Sequence, residues 1–69
     1  MPLAMARVGE ERTITRLAGK DESRRFLEKL GFVVGASVSV VAEMNGNLIV
    51  NIKGARVAIS REMANKVFV

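Results

Sequence analysis

FLEKLGFVVGASVSVV, residues 26 to 41, changes the spacing of its apolar residues partway along. Leu27 and Leu30 are three residues apart, as on one face of a helix, whereas from Gly35 onward the apolar residues alternate, as in a half-buried strand. Gly31 stands at the change, where a left-handed C-cap is expected because glycine adopts that conformation without penalty. The stretch therefore predicts a helix that ends on a short apolar bridge and leads directly into a strand.

The helix is predicted over about residues 22–30, immediately after Asp21. Asp21 is expected to be the N-cap, because its carboxylate can accept from the free amides of the first turn. Glu22 near the start and Lys29 near the end suit the helix dipole. A helix this short is marginal alone, so packing of Leu27 and Leu30 must stabilise it.

Tight turns separate several short strands around this helix. Residues 12–17 form the first predicted strand, with a bend near Arg16 that brings Ile14 and Leu17 to one face. Asn45-Gly46 predicts a two-residue hairpin, and Gly54 allows a second tight turn. Ser60 is expected to cap one helical turn over residues 61–64.

A small β-fold follows from this order of elements. We predict a mainly β, partly open barrel of five strands, with one helix between strands 1 and 2 and a short helical turn before the last strand. The last strand is expected to pair with the first, with Phe68 pointing outward. In the second strand, Val38, Val40, Ala42 and Met44 are expected to share the inward face. The predicted core comprises Ile14, Leu17, Leu27, Leu30, Phe32, Val38, Val40, Leu48, Val50, Ile52, Val57, Ile59, Ala64, Val67 and Val69.

Composition narrows the functional classes. The 69 residues suit one domain and include neither cysteine nor histidine. The usual general acid–base and nucleophile pairs are therefore missing, and so are the imidazole and thiolate ligands that transition metals prefer. No apolar run reaches the roughly 18 residues of a membrane span. We expect a non-enzymatic cytoplasmic protein without membrane insertion, metal site or cofactor.

The outward positions suggest a binding surface for another protein. Arg25, Phe26 and Lys29 would form a basic, aromatic-containing helix face, and Phe68 would be exposed on the last strand; these four residues are the predicted contacts with an acidic partner. One alternative is a small basic nucleic-acid-binding barrel, although its three phenylalanines lack runs of basic residues around them. A homo-oligomer formed through an exposed strand edge is another hypothesis.

The order and spacing of these motifs resemble the FeoA family over nearly the whole chain. The resemblance is carried by RRFLEKLGFVVGASVSVV and GNLIVNIKGARVAISREMANKVFV, in which the matching residues are Arg25, Leu27, Leu30, Gly31, Phe32, Gly35, Val57, Ala58, Ile59, Ala64, Val67 and Val69. Two features depart from the family pattern: Val34 stands where proline is common, and the hairpin EMNGNL is short.

The resemblance implies a single FeoA-like, SH3-like domain over residues 1–69. It also implies a cytosolic accessory protein of bacterial ferrous iron transport that acts with FeoB, a membrane permease with a cytosolic GTP-binding domain. It marks no catalytic residue and no cofactor, and implies at most a weak, indirect association with iron. The resemblance also implies an alternative function, a regulatory module like the SH3-like domain of iron-dependent repressors.

Overall fold

The computed structural model describes residues 1–69, and its secondary structure follows the predicted order. The strands are β1 (Glu11–Thr13), β2 (Arg16–Leu17), β3 (Ser37–Met44), β4 (Asn47–Ile52), β5 (Ala55–Ser60) and β6 (Val67–Phe68). The helices are α1 (Asp21–Lys29) and α2 (Arg61–Ala64), and a 3-10 turn covers Leu3–Met5. Neither α1 nor α2 is long and apolar enough to cross a membrane.

The first predicted strand is divided between two antiparallel sheets. β1, β3, β4 and β5 form one sheet in that order, and β2 pairs with β6 in the other. Between β1 and β2, the Ile14 amide donates to the Ala36 carbonyl at 2.9 Å and the Thr15 amide to the Phe68 carbonyl at 2.8 Å. The chain thus changes partners at this bend, giving six strands instead of five. The predicted pairing of the first and last strands is confirmed, as is the mainly β, partly open fold.

Two glycine-containing turns connect β3, β4 and β5 into a meander. Asn45 and Gly46 have φ of 50° and 80°, and Lys53 and Gly54 have φ of 49° and 79°. Positive φ at both central residues is the signature of the type I′ turn, whose twist suits two-residue hairpins. The hairpin predicted from Asn45-Gly46 and the turn at Gly54 are confirmed.

α1 ends in a Schellman motif at the start of the segment that leads to β3. The Gly31 amide donates to the Glu28 carbonyl and the Phe32 amide to the Leu27 carbonyl, both at 3.0 Å. Gly31 has φ of 105°, a conformation that side chains disfavour. Leu27 and Phe32, the two residues that flank the motif, are fully buried. The predicted glycine C-cap is therefore confirmed, and the motif fixes the direction of α1 over the core.

The start of α1 differs from the prediction. Lys20 occupies the extended N-cap position, and no side chain accepts a capping hydrogen bond there. Asp21 is instead the first helical residue, and its carboxylate pairs with Arg24 one turn later. The prediction of an Asp21 N-cap was wrong by one position. A carboxylate in the first turn is still favoured by the helix dipole.

The core lies between the two sheets and below α1. It consists of twelve buried residues: Leu3, Ile14, Leu27, Phe32, Val38, Val40, Leu48, Val50, Ile52, Ile59, Ala64 and Val67. Leu3 alone among them was not predicted. The other predicted core residues, Leu17, Leu30, Val57 and Val69, are partly buried and pack against this cluster.

The N-terminal segment places Leu3 in the core by pairing with the other end of the chain. The Met1 amino group donates to the Val69 carbonyl at 3.0 Å, and the Val69 amide donates to the Met1 carbonyl at 2.8 Å. Pro2 forms an antiparallel bridge with Phe68. This short ladder directs the 3-10 turn inward, and Leu3 has no exposed surface.

A bulge in β3 reverses the faces of its last residues. The register with β4 shifts between Val40 and Ala42, after which Glu43 lies opposite Leu48. A bulge adds one residue to one strand, so the inward and outward positions exchange beyond it. The predicted inward position of Met44 is therefore wrong, because its side chain is 60% exposed. Glu43 instead reaches Arg61 at the start of α2 and forms an ion pair with it.

Candidate partner-binding site

Three of the predicted contact residues lie together on the outer face of α1. Burial of Leu27 against the core leaves Arg25, Phe26 and Lys29 exposed on the helix. The Phe26 side chain is 51% exposed although it is aromatic. Aromatic residues and arginine are enriched in protein interfaces, and an aromatic ring binds with little loss of conformational entropy.

The two cations of this face form no ion pair within the chain, although Glu22 and Glu28 each lie three residues from Arg25 on the same helix. The ion pairs of the chain join Arg12 to Glu10, Arg24 to Asp21 and Arg61 to Glu43, so neither Arg25 nor Lys29 takes part in one. Like charges four residues apart on a helix destabilise it by about 0.2–0.5 kcal/mol. Glu22 and Glu28 offset part of this repulsion, and both cations stay free to pair with a carboxylate of a partner.

A depression beside α1 adds an apolar residue to this face. It is lined by Glu22, Ser23, Arg25, Phe26, Lys29 and Met63. Met63 comes from α2, which begins with the predicted cap: Ser60 Oγ accepts from the Met63 amide at 3.1 Å. The segment after α2 is also hydrogen-bonded to α1, because Lys66 Nζ donates to Ser23 Oγ at 3.1 Å. Met63 was not predicted to belong to the site, because only the tertiary packing brings α2 next to α1.

Phe68 lies outside this depression. Its register partner across the second sheet is Arg16, whose guanidinium carbon is 4.1 Å from the centre of the Phe68 ring. Phe68 is half-buried, whereas Arg16 is exposed above it. The structure thus places Arg16 between Phe68 and the solvent.

A second depression lies on the other side of Arg25. It is lined by Thr15, Arg16, Leu17, Asp21, Arg24, Arg25, Glu28 and Val34. Arg25 lines both depressions and separates the Phe26 side from the Arg16 side. Arg24 already pairs with Asp21, so Arg16 and Arg25 are the cations of this depression with no carboxylate bound to them. Arg16 had no distinguishing signal in the sequence, where it is one of eleven dispersed basic residues.

Elsewhere the surface offers little chemistry. A third depression crosses the outer sheet face and is lined mainly by small or polar residues, among them Ser37, Ser39 and Asn51. No group of three or more carboxylates comes together that could hold a metal ion. The outer face of α1, with its charge and its exposed ring, is the candidate for a function.

Comparison with known proteins gives a consistent result. The FeoA domain model matches residues 1–69. A protein of Methanocaldococcus jannaschii named as an Fe(2+) transport protein A is 32% identical over 68 residues, covering 99% of this chain and 83% of the relative.

Solved structures extend the likeness to three dimensions. A FeoA from Stenotrophomonas maltophilia, described as a prokaryotic SH3 domain protein complexed with zinc, has a TM-score of 0.85 at 26% identity over 99% of this chain and 87% of its own. The FeoA protein of Chlorobium tepidum has a TM-score of 0.89 at 27% identity, covering 99% of this chain and 67% of its own. A manganese-dependent transcriptional repressor shares the fold alone, with a TM-score of 0.87 at 23% identity over 97% of this chain and 39% of its own.

Proposed function

Because this chain belongs to the FeoA family, we propose that it is a non-enzymatic accessory module of ferrous iron uptake that docks onto the cytosolic GTP-binding domain of an FeoB permease. The exposed face of α1 makes the contact, through Arg25, Phe26 and Lys29. The module works in the cytoplasm and carries no iron itself. Its effect is exerted through the partner it binds.

The observation that carries this proposal is the half-exposed Phe26 ring between two unpaired cations. Aromatic and arginine side chains supply most of the energy of typical interfaces, and a few such residues dominate the affinity. The chain has no other exposed phenylalanine: Phe32 is buried and Phe68 is covered by Arg16. The residues around Phe26 are therefore the natural anchor for a partner of opposite charge.

Titration of the purified cytosolic domain of the cognate permease with this chain tests the proposal. Phe26→Ala should weaken binding about tenfold or more, which corresponds to about 1.4 kcal/mol. Neutralising both cations, as Arg25→Gln with Lys29→Gln, should weaken binding and flatten its dependence on salt, because it removes charge that steers association.

The matched control neutralises two exposed cations away from α1, Arg7→Gln with Arg56→Gln, and keeps the net charge of the first double variant. Arg56 lies on β5 opposite Asn51, and it lines neither of the two depressions beside α1. Equal weakening by both double variants would reduce the effect to overall charge and refute the α1 face as the contact. A wild-type chain that does not bind the folded permease domain would refute the proposed function.

A further inference from the structure

We propose that the outer face of α1 (Arg25, Phe26 and Lys29), together with Arg16 of β2, forms a two-point site for an acidic segment that carries an apolar side chain. Phe26 is the first anchor and Arg16 is the second, and Phe68 positions Arg16. This inference rests on the proposed function, since it takes the segment to belong to the permease's cytosolic domain. The apolar side chain contacts Phe26 and Met63, and a carboxylate binds between Arg16 and Arg25.

Arg16 is held in place before any partner arrives. Its guanidinium lies over the Phe68 ring at 4.1 Å from the centroid, within the range of a cation–π interaction. The Phe68 backbone is held in turn, because its carbonyl accepts from the Thr15 amide at 2.8 Å and from Thr15 Oγ at 3.3 Å. A guanidinium stacked by its face still presents its N–H edge, which matches a carboxylate in a bidentate arrangement.

Arg25 connects the two anchor points. It lines the depression that contains Arg16 as well as the depression that contains Phe26 and Met63. A segment lying across Arg25 therefore reaches an apolar contact on one side and a free guanidinium on the other. Lys29 adds positive charge on the apolar side; together Arg25 and Lys29 outweigh the carboxylate of Glu22 in this depression, which favours a further acidic residue in the segment.

The composition of the site favours a peptide over nucleic acid. The carboxylates of Asp21 and Glu28 interrupt the positive charge of the Arg16 depression, so it offers no continuous basic track for a phosphate backbone, whereas a single carboxylate needs only Arg16 and Arg25. Single-stranded nucleic acids are bound by several stacking rings along a basic groove. Here Phe26 is the only exposed ring, and its depression is completed by Met63.

Phe68 thereby acquires a role different from direct contact. It is half-buried beneath Arg16 and lies outside both depressions, so its ring acts through the arginine that it supports. Phe68→Tyr keeps the aromatic face and should preserve binding. Phe68→Leu keeps an apolar side chain but removes the π-face, and should weaken binding by releasing Arg16.

The test measures affinity for the cognate permease domain with single variants. Arg16→Lys retains the charge but loses the planar fork, and Phe68→Leu loses the stack; each should weaken binding about fivefold, mainly through faster dissociation. Phe68→Tyr and the remote control Arg56→Lys should stay near wild type. Melting temperatures of the variants separate loss of binding from loss of folding.

A peptide probe tests the two-point site separately from the proposed permease partner. A short acetylated peptide of glutamates and leucines is titrated into the free chain and followed by two-dimensional amide NMR. Matched peptides replace the leucines by alanine or the glutamates by lysine. The expected shifts are at Arg16, Arg25, Phe26 and Met63, and they should diminish with either matched peptide and in the Arg16→Lys variant.

Each combination of outcomes decides between the two-point site, the permease partner and a nucleic-acid ligand. Permease binding that is unaffected by Arg16→Lys and Phe68→Leu overturns the two-point site but leaves the proposed function. Peptide shifts at the expected residues without permease binding support the chemistry of the site and overturn the proposed partner. Absence of both overturns both, and tighter binding of a single-stranded oligonucleotide than of the acidic peptide overturns the assignment to a protein partner.

Discussion

Leu3→Ala provides a sharp test of how the core is completed. The Leu3 side chain has no exposed surface and packs in the core, although it lies in a 3-10 turn near the N-terminus. Truncating a buried leucine to alanine costs about 2–5 kcal/mol, because the transfer free energy is lost and a cavity remains. A domain of this length has a free energy of unfolding of about 3–10 kcal/mol in total. The substitution should therefore remove a large fraction of the stability.

Urea unfolding followed by circular dichroism measures this loss. With a slope of about 1 kcal/mol per molar urea for so small a protein, the midpoint of Leu3→Ala should fall by about 2 M or more. Met5→Ala is the matched control, since Met5 belongs to the same turn but its side chain is 70% exposed, and its effect should stay within about 0.5 kcal/mol. If the two variants shift the midpoint equally, the N-terminal segment is not part of the cooperative core and the reasoning is refuted.

Three further substitutions test local features by thermal unfolding. Gly31→Ala should cost about 1–2 kcal/mol of stability through backbone strain, because φ is 105° and a new Cβ would be 3.5 Å from its nearest neighbours, an ordinary contact distance. The control Gly9→Ala, at φ of 87° with no neighbour within 4 Å, should cost about as much. A far larger loss at Gly31 would show that a steric clash contributes as well. Ser60→Ala should cost about 1 kcal/mol, or about 4–8 °C, by removing the cap at the Met63 amide, whereas Ser60→Asp should retain most of it. Lys53→Asn should raise the melting temperature by a few degrees, at about 0.5 kcal/mol, because φ of 49° suits asparagine better than lysine; a decrease would show that the lysine stem contributes more by packing.

Features set by neighbouring residues could be predicted from the sequence. The glycine C-cap at Gly31, the Asn45-Gly46 hairpin and the Ser60 cap each depend on a few consecutive residues, and the structure confirms all three. The alternation in β4 likewise placed Leu48 and Val50 correctly in the core, because no irregularity interrupts that strand. In each case local backbone chemistry and the tertiary fold favour the same conformation.

Apart from the one-position error at the start of α1, the errors arose where a distant partner decides the local structure. The bulge at Val41 is fixed by the register of β3 against β4, and the alternation of residues 37–44 does not indicate it. Burial of Leu3 depends on pairing with Val69 at the opposite end of the sequence. The shared exposure of Arg25, Phe26 and Lys29 on α1 could be predicted from helical periodicity. Their neighbours Met63 and Arg16 come from other elements and required the fold.

The hydrogen-bonded ladder between Met1–Pro2 and Phe68–Val69 has a mechanical consequence. Because the paired segments run antiparallel and both chain ends lie at the same end of the ladder, tension between the ends loads its bonds one at a time, as in opening a zipper. A low pulling force would open this ladder first. Leu3 would then leave the core and Phe68 would lose a strand neighbour, so a force applied to the ends would reach both the core and the support of Arg16.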